Sequence, residues 1–233
     1  MSLKEILSKN GISRENCEKF YSYYKLLTEW NEKINLTAIT SEEDVALKHF
    51  IDSLNSNSTG IIKDGMDVID IGTGAGFPGL PLKINQPSIN LTLVDSLNKR
   101  INFLNTVISD LNLQNVRTVH SRAEDLGVNK DFREKFDVCV SRAVANLSTL
   151  SELCLPFVKC GGYFISLKGP KAPEELETAK KAGSILGGEF FDLVNYNISD
   201  TDLNHNIIII KKISQTPTKY PRKAPKPAKE PLN

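Results

Sequence analysis

The feature that most constrains the fold of this chain is a regular alternation of short apolar segments with helical segments after Gly65. The apolar segments have the length and aliphatic composition of buried strands. They are Val68–Ile71, Leu91–Val94, Val116–Val119, Phe136–Val140 and Tyr163–Leu167. Between the second and the third, Ile101, Leu104, Ile108 and Leu111 have the spacing of an amphipathic helix. Strands that alternate with helices in this way predict βαβ crossovers and a parallel, doubly wound sheet.

The two ends of the chain depart from this alternation. Before about residue 60, apolar residues such as Cys17, Phe20 and Leu27 recur at helical spacing, which predicts two or three helices. Near the other end, Phe190–Val194 and Ile207–Ile210 follow each other without an intervening helix. We therefore expect these two segments to pair as antiparallel strands.

These patterns divide the chain into three parts. We expect an N-terminal helical extension over residues 1–60, an α/β domain over residues 61–213 and a basic, Pro-rich tail over residues 214–233. The predicted fold class is α/β, with a Rossmann-like, doubly wound sheet that is mostly parallel and ends in an antiparallel hairpin strand. A chain of 233 residues can bury a core of this kind without disulfides or a structural metal.

The charge of the tail differs from that of the rest of the chain. Residues 211–233 carry seven Lys or Arg against one acidic residue, which leaves 22 basic and 27 acidic residues elsewhere. Such a segment is either solvated and disordered or in contact with the phosphates of a nucleic acid. The basic residues alternate with prolines, which predicts an extended segment, and they are Lys219, Arg222, Lys223, Lys226 and Lys229.

Several classes of protein are disfavoured by what the sequence lacks. Residues 1–10 have no apolar core of a signal peptide, and the longest aliphatic run, Ile207–Ile210, is too short to span a bilayer. We expect a cytoplasmic protein that does not associate with a membrane. The four cysteines form no CxxC pair and have no histidine at zinc-ligand spacing, so we expect reduced thiols, mostly in the core, and no metal site.

The most specific signal is a glycine-rich run from Asp70 to Gly79, directly after the first predicted strand. Glycine lets a backbone turn tightly into a helix and approach a ligand closely. Asp95 and Ser96 follow the second strand, where a carboxylate can accept both ribose hydroxyls of an adenosine. The glycines that we expect at the cofactor are Gly72, Gly74 and Gly76.

Two cofactors fit such a loop. Gly74, Gly76 and Gly79 also satisfy the dinucleotide pattern G-x-G-x-x-G, so an NAD(P)-dependent oxidoreductase is an alternative. Asp70 would repel a pyrophosphate but could bind the amino group of a methionine, directly or through water. Pro78 removes a backbone N–H where a phosphate needs donors. These residues favour S-adenosyl-L-methionine, whereas a loop without a ligand would indicate a non-catalytic RNA-binding module.

Polar residues at the ends of later strands are further candidates. Open α/β sheets bind ligands at the carboxyl edge, where Ser141, Arg142 and Ala143 end the fourth strand and Lys168 ends the fifth. Ala123 and Glu124 follow the third strand, a usual place for contacts to an adenine, although Glu124 could simply cap a helix. His49 on the second helical segment is either a packing residue or a group that positions the substrate. His120 and His205 are interpreted as structural.

Several motifs occur together and in order along nearly the whole chain. The chain resembles the bacterial small-subunit rRNA guanine-N7 methyltransferases of the glucose-inhibited-division B type. The matching residues are Trp30–Asn31, Asn35–Ile39, His49, Asp52–Leu54, Gly72–Gly79, Asp95–Ser96, Lys99–Arg100, Ser141–Ala143, Leu167–Gly169 and Lys219–Lys223. A set of independent motifs in the right order is far more specific than the glycine loop by itself.

The resemblance implies a class I methyltransferase fold and methyl transfer to N7 of one guanosine in the decoding-region loop of 16S rRNA. The implied partner is 16S rRNA, the small ribosomal subunit or an assembly intermediate, with no DNA expected. The residues that match the family's cofactor contacts are Gly72, Phe77, Ala123, Glu124 and Arg142. Lys48 departs from the arginine common in the family, which keeps the charge but favours a phosphate contact over base reading.

The chemistry of N7 methylation sets what the site must contain. Guanine N7 has a free lone pair and no proton, so we expect no catalytic acid or base, only alignment of the reactants and exclusion of water. Phe77 is expected to line the methyl-transfer pocket. Arg142 is expected to orient either the cofactor carboxylate or the guanine O6. The candidates for positioning the substrate are Arg142, Lys168 and His49.

Overall fold

The structure is a computed structural model that describes residues 1–142, 145–198 and 204–232. The chain begins with helices α1 (Leu3–Lys9), α2 (Arg14–Ile34), α3 (Glu42–Val45) and α4 (Asp52–Leu54). A π-helical segment, Ala46–Ile51, joins the last two, and a 3-10 helix, Asn55–Thr59, follows.

Serine caps determine where these helices begin. Ser2 and Ser13 accept hydrogen bonds from the backbone of the first turns of α1 and α2. The Ser41 hydroxyl accepts from the Asp44 backbone N–H and caps α3. The sequence patterns had not indicated α1 as a separate helix.

A seven-stranded sheet has the strand order β3-β2-β1-β4-β5-β7-β6. Its strands are β1 (Asp67–Ile71), β2 (Asn90–Asp95), β3 (Val116–His120), β4 (Phe136–Arg142), β5 (Val158–Lys168), β6 (Gly188–Asn197) and β7 (Asn204–Lys212). The first five pair in parallel, and β7 is antiparallel to both β5 and β6. The predicted parallel sheet and terminal hairpin are therefore confirmed.

Helices follow the strands as the alternation predicts. They are α5 (Gly79–Asn85), α6 (Asn98–Asp110), α7 (Ala123–Leu126), α8 (Leu147–Cys154), α9 (Ala172–Ile185) and α10 (Lys226–Lys229), with a 3-10 helix at Leu155–Phe157. The amphipathic pattern from Ile101 to Leu111 corresponds to α6, and Leu111 caps its end.

Core residues lie on both faces of the sheet because successive strand residues point in opposite directions. On β1, Val68 packs into one apolar cluster and Ile69 into the other. The cluster around Val68 also contains Phe20 and Phe50 from the N-terminal helices. These helices therefore share a core with the sheet, and they bring the π-helical segment to the carboxyl edge of the strands.

The C-terminal tail packs against the body of the protein, so the alternative of a solvated, disordered segment is wrong. The predicted extended conformation is interrupted by the short helix α10. The Arg133 guanidinium donates to the backbone carbonyls of Thr216 and Tyr220 at 2.7 and 2.8 Å. Arg222, expected to be free for phosphate, instead pairs with the fully buried Glu152 at 2.6 Å. Leaving the Glu152 carboxylate buried without a partner would be costly, which is why the arginine turns inward.

Two other expectations concern thiols and membranes. Cys17, Cys139 and Cys154 are buried and Cys160 is exposed, and all four are free, as predicted. In the part of the chain that the structure describes, no helix has both the length and the apolar character needed to cross a bilayer.

Candidate active site at the carboxyl edge of the sheet

Three neighbouring cavities lie along the carboxyl edge of the strands. The first, here called the strand-end cavity, has a volume of about 190 Å³ and lies beside the ends of β1, β2 and β3. It brings together several predicted cofactor residues, namely Gly72, Asp95, Ser96, Ala123 and Glu124. Arg100 lies in its wall as well.

The second, here called the loop cavity, has a volume of about 350 Å³ and follows the glycine loop. Gly72 and Arg100 line both the strand-end cavity and the loop cavity, so the two adjoin. The residues around the loop cavity are Leu36, Thr37, His49, Gly72, Thr73, Gly74, Ala75, Phe77, Arg100 and Arg142.

The third, here called the outer cavity, also measures about 350 Å³. His49 and Arg142 line both this cavity and the loop cavity, so these two side chains form the wall between them. The residues around the outer cavity are Ile39, Lys48, His49, Asp52, Arg142, Leu167, Lys168, Gly169 and His205.

A larger cavity of about 440 Å³ lies at the opposite, amino edge of the strands, beside Asp67 and Val116. None of the candidate site residues from the sequence line it. Parallel α/β sheets bind their ligands at the carboxyl edge, so we assign the site to the three adjoining cavities.

The glycine loop is shaped by left-handed backbone conformations. Gly72, Gly74 and Gly76 have φ of 69°, 62° and 98°. A Cβ added at Gly76 would lie 2.5 Å from the Tyr23 hydroxyl, so this glycine is required by packing against α2. A Cβ at Gly74 would meet nothing described within 4 Å. The space beside Gly74 is thus open to a ligand.

Asp70 lies beneath the loop, where it organises the backbone. Its Oδ2 accepts from the Thr73 hydroxyl at 2.7 Å and from the Gly79 backbone N–H at 2.8 Å. Complete burial raises the pKa of this carboxyl to about 7, although both hydrogen bonds favour the ionised form. Its Oδ1 is buried and has no hydrogen-bond partner among the described residues. One oxygen thus supports the loop and the other remains unpaired.

Asp95 joins the end of β2 to the glycine loop. Its Oδ2 accepts from the Gly74 backbone N–H at 2.9 Å and from the Arg100 guanidinium at 3.2 Å. Its Oδ1 accepts from the Leu97 backbone N–H at 2.9 Å. A carboxylate offers about four acceptor positions, so Asp95 retains capacity at Oδ1 after these three bonds.

Arg142 is held rigidly at the wall between the loop and outer cavities. Its Nη1 donates to the Lys48 carbonyl at 3.0 Å and to Asp52 Oδ2 at 2.9 Å. Its Nη2 lies 3.2 Å from His49 Nδ1, and its guanidinium carbon lies 4.8 Å from the centre of the Phe77 ring. The adjacent Ala143, named in the same sequence motif, lies outside the described residues.

Asp52 is the buried carboxylate at the centre of this cluster. Its Oδ1 accepts from the Tyr196 hydroxyl and from His205 Nδ1, both at 2.7 Å. Burial by itself would raise the pKa of Asp52, but the His205 hydrogen bond, the Arg142 charge and the Tyr196 hydroxyl together lower it. Asp52 is therefore ionised, and three elements converge on it.

His49, which with Arg142 separates the loop cavity from the outer cavity, is neutral. Burial, followed by the nearby Arg142 charge, lowers the pKa of His49 to about 4. Its Nε2 lies 2.8 Å from the Thr37 hydroxyl, and its ring stacks on Phe77 with 4.5 Å between centroids. Its Nδ1 lies 3.2 Å from Arg142 Nη2 and 3.1 Å from the Lys48 carbonyl oxygen, so both ring nitrogens have polar neighbours.

Lys168 lines the outer cavity but its ammonium is engaged elsewhere. The ammonium donates to the Ala145 carbonyl and pairs with Glu175 at 2.7 Å. The side chain is only 5% exposed, so the contribution of Lys168 to the cavity is mainly its aliphatic stem. Lys48, at the rim, pairs with Asp44 at 2.6 Å.

Sequence reasoning missed three participants. Tyr23 donates from α2 to the Ala75 carbonyl and so supports the glycine loop. Tyr196 and His205 bind Asp52 from β6 and β7, although His205 had been interpreted as structural. Asp52 was noted only as part of a family motif. Its position three residues after His49 on a helical segment was the one signal that could have placed it at the site.

The fold and the site together define a class I methyltransferase. The sheet is mostly parallel, and a glycine loop after β1 opens into two adjoining cavities at the carboxyl edge. The structure of M. jannaschii TYW2 in complex with AdoMet superposes with a TM-score of 0.54 at 15% identity, covering 70% of this chain and 77% of that one. This likeness supports the fold.

The family follows from sequence comparison. The family model for rRNA small subunit methyltransferase G matches residues 16–203, so the chain belongs to that family. The ribosomal RNA small subunit methyltransferase G of Alkaliphilus oremlandii is 53% identical over 239 residues, 100% of both chains. The Clostridium botulinum protein of that name is 52% identical over 221 residues, 95% of this chain and 92% of the relative.

Membership settles the class of reaction. The protein is a methyltransferase that uses S-adenosylmethionine, which confirms the predicted enzyme class and cofactor. The two alternatives, an NAD(P)-dependent oxidoreductase and a non-catalytic RNA-binding module, are set aside. The open space beside Gly74 and the two adjoining cavities fit such a cofactor.

Proposed function

We propose that this protein transfers a methyl group from S-adenosylmethionine to N7 of a guanosine in the decoding-region loop of 16S rRNA. The observation that supports this most directly is the wall of Arg142 and His49 between the loop cavity and the outer cavity. A cofactor in the loop cavity and a base in the outer cavity would meet at that wall. The relatives' name supports ribosomal RNA as the substrate.

The site contains what this chemistry needs. Bound S-adenosylmethionine supplies an electrophilic methyl group, and guanine N7 attacks it without losing a proton. The residues of the chain therefore only bind, orient and exclude water. His49 is neutral and its ring is held by contacts with Thr37 and Arg142, so it is suited to positioning rather than to proton transfer.

Individual roles follow from the cavities. We assign Asp95, Ser96, Ala123 and Glu124 to the adenosine part of the cofactor, because they line the strand-end cavity. Gly72 and Gly74 would hold the methionine part in the loop cavity, with Asp70 beneath them. Gly76 and Lys168 act through packing and an ion pair, respectively.

The RNA surface that we propose includes the packed tail. Lys219 and Lys223 are exposed there, while Arg222 fixes the segment by its pair with Glu152. A fixed basic surface can contact phosphates without first losing conformational entropy. The partner is 16S rRNA, free or within a small subunit or assembly intermediate. An enzyme that modifies ribosomal RNA would act in the cytoplasm, where ribosomes are assembled.

The decisive test is the position of the modified nucleoside in cells. A strain without this protein should lose one 7-methylguanosine from 16S rRNA. Reduction opens the cationic ring of that nucleoside and breaks the chain, so primer extension maps it. The wild-type gene should restore the break, Arg142→Ala should not, and Arg14→Ala, an exposed arginine on α2, should restore it. An unchanged 7-methylguanosine in the deletion strain would refute the proposal.

The tail is tested by the salt dependence of RNA binding. Replacing Lys219 and Lys223 with glutamine should reduce the slope of log K against log salt by about 1.4, if each contacts one phosphate of single-stranded RNA. Replacing Lys180 and Lys181, exposed on α9, changes the charge equally and should leave the slope unchanged. Equal slopes for the tail variant and the wild type would remove the tail from the RNA surface.

A further inference from the structure

The outer cavity contains a histidine to which no role has been assigned so far. His205 lies near the start of β7, which pairs with β5 and β6, and its side chain is 24% exposed. It lines the outer cavity but not the loop cavity. Its Nδ1 lies 2.7 Å from Asp52 Oδ1, whereas its Nε2 has no hydrogen-bond partner among the described residues.

The Asp52 carboxylate fixes which nitrogen of His205 carries the proton when the ring has only one. Asp52 is ionised and can only accept hydrogen bonds, so Nδ1 must be the protonated nitrogen. The Tyr196 hydroxyl and the Arg142 guanidinium bind the same carboxylate at 2.7 and 2.9 Å and hold it in place. In the singly protonated ring, the remaining nitrogen, Nε2, is therefore a hydrogen-bond acceptor in a fixed orientation.

On the other side of the same carboxylate, Arg142 offers donors. A guanidinium has five N–H groups, and the described contacts of Arg142 use three of them. Two donors therefore remain at the wall between the loop and outer cavities. Asp52 therefore lies between the Arg142 guanidinium, which has two unused N–H donors, and His205 Nε2, which can accept a hydrogen bond.

We propose that His205 is a specificity-determining residue, whose Nε2 accepts the N1–H of the target guanine while Arg142 donates to O6. Along the edge of guanine, N7, O6 and N1–H follow one another as acceptor, acceptor and donor. Going from the loop cavity into the outer cavity, the protein presents Arg142 first, then Asp52 and then His205. When N7 of the guanine faces the loop cavity, O6 is directed to the Arg142 donors and N1–H to Nε2 of His205. This inference rests on the proposed guanine-N7 activity.

The same arrangement disfavours adenine, which also has an N7 lone pair. Adenine presents an amino group where guanine has O6, and an unprotonated N1 where guanine has N1–H. The amino group would meet the Arg142 donors, and N1 would face the Nε2 lone pair of His205. A site that leaves buried polar groups unpaired rejects the wrong ligand strongly. Base choice therefore comes from Arg142 and His205 together.

The test compares RNAs that differ only at the target nucleotide. Ribosomal RNA assembled by ligation would carry guanosine, inosine or adenosine at the mapped position, and kcat/KM for methylation would be measured with the full-length protein. The wild type should methylate guanosine and inosine at rates within a few-fold of each other, because both have O6 and N1–H, and should not methylate adenosine. His205→Leu should lose about tenfold on guanosine and on inosine alike.

Three controls separate recognition from folding. His205→Gln retains an acceptor and should stay within about threefold of the wild type. Asn204→Leu changes the preceding, exposed residue of β7 and should have no effect. Binding of S-adenosylhomocysteine, followed by calorimetry, should be unchanged in all three variants.

The inference is overturned if His205→Leu has wild-type kcat/KM, if His205→Gln is as weak as His205→Leu, or if cofactor-product binding falls in parallel. A loss seen with guanosine but not with inosine would indicate a contact to the 2-amino group and would also overturn it. Failure of the wild type to methylate guanosine at N7 would instead refute the proposed function itself.

Discussion

The site has two halves that are built in different ways. The cofactor half surrounds the strand-end and loop cavities, and the outer half surrounds the outer cavity. The cofactor half consists of one continuous loop and the ends of adjacent strands, and its carboxylates mainly bind backbone N–H groups. The outer half consists of side chains from the π-helical segment, α4, β4, β6 and β7, joined through the buried Asp52. The first depends on backbone conformation and the second on the pairing of buried charges.

This difference has consequences for how each half responds to change. A loop held by backbone hydrogen bonds tolerates loss of a partly exposed side chain, because water replaces it. Loss of the cation that pairs with a buried carboxylate is strongly destabilising, because water cannot solvate the remaining charge. Substitutions in the two halves should therefore differ in their effects even when the residue types are the same.

Removal of one arginine from each half should show the largest contrast. Arg142→Ala removes a cation from the buried Asp52, and we expect the free energy of unfolding to fall by about 3 kcal/mol. Arg100→Ala removes a partner of Asp95 that is 33% exposed, and we expect a loss of about 0.5 kcal/mol. Denaturant unfolding at neutral pH measures both. Similar losses for the two variants would contradict the contrast.

Alanine substitutions at two glycines of the loop should distinguish an effect on packing from an effect on ligand binding. Both positive φ angles make alanine unfavourable by about 1 kcal/mol. At Gly76 the Cβ also meets Tyr23 and Leu80, so we expect a total loss of about 2 kcal/mol or more in unfolding free energy. Gly74→Ala should lose only the backbone contribution but weaken binding of S-adenosylhomocysteine. Thermal unfolding with and without that ligand distinguishes the two, and equal ligand-free losses would argue against packing at Gly76.

The two halves should respond to pH in opposite directions. His49 has a folded pKa of about 4 against an ordinary 6.5, so the unfolded chain takes up the proton first and stability falls as pH drops below 6.5. Asp70 has a folded pKa of about 7 against 3.8, so the folded chain takes up the proton first and stability rises as pH drops below 7. The two effects oppose each other between pH 6.5 and 4.

Single variants should reveal each effect. Relative to the wild type, His49→Gln should gain about 1 kcal/mol of unfolding free energy per pH unit of acidification below pH 6.5, and Asp70→Asn should lose a similar amount. Denaturant unfolding between pH 7.5 and 5 would measure the slopes. Parallel curves for both variants and the wild type would show that neither group is perturbed as the structure indicates.

The smallest expected effect concerns the hydroxyl that orients His49. Thr37→Val keeps the shape of the side chain but removes the hydrogen bond to His49 Nε2 and the one that Thr37 accepts from the Ile39 backbone N–H at 3.0 Å. We expect a loss of about 1 kcal/mol in unfolding free energy and a several-fold lower methylation rate. Thr28→Val on α2, away from the site, provides the matched control. Equal rates for both variants would mean that His49 needs no such orientation.

The positions of the residues around the strand-end and loop cavities could largely be predicted from the sequence, although the Tyr23 contact to the loop could not. Gly72 and Gly74 are close in sequence, and strand ends align wherever a sheet is parallel, so Asp95, Ala123 and Glu124 could be assigned to one edge. Asp70 lies within β1, next to its carboxyl end, and its burial beneath the loop depends on Thr73 and Gly79 folding back over it. That geometry cannot be derived from the order of residues.

The sequence by itself determined the doubly wound, mostly parallel character of the sheet, the position of the glycine loop and, through its motifs, the family. These features depend on periodicity and on residues close together in the chain. Only the tertiary structure decided that His205 joins Asp52 across 153 positions and that Arg222 turns inward to Glu152 across 70. Such pairs form because a buried charge must find a partner, and which partner lies within reach depends on how the helices and strands pack.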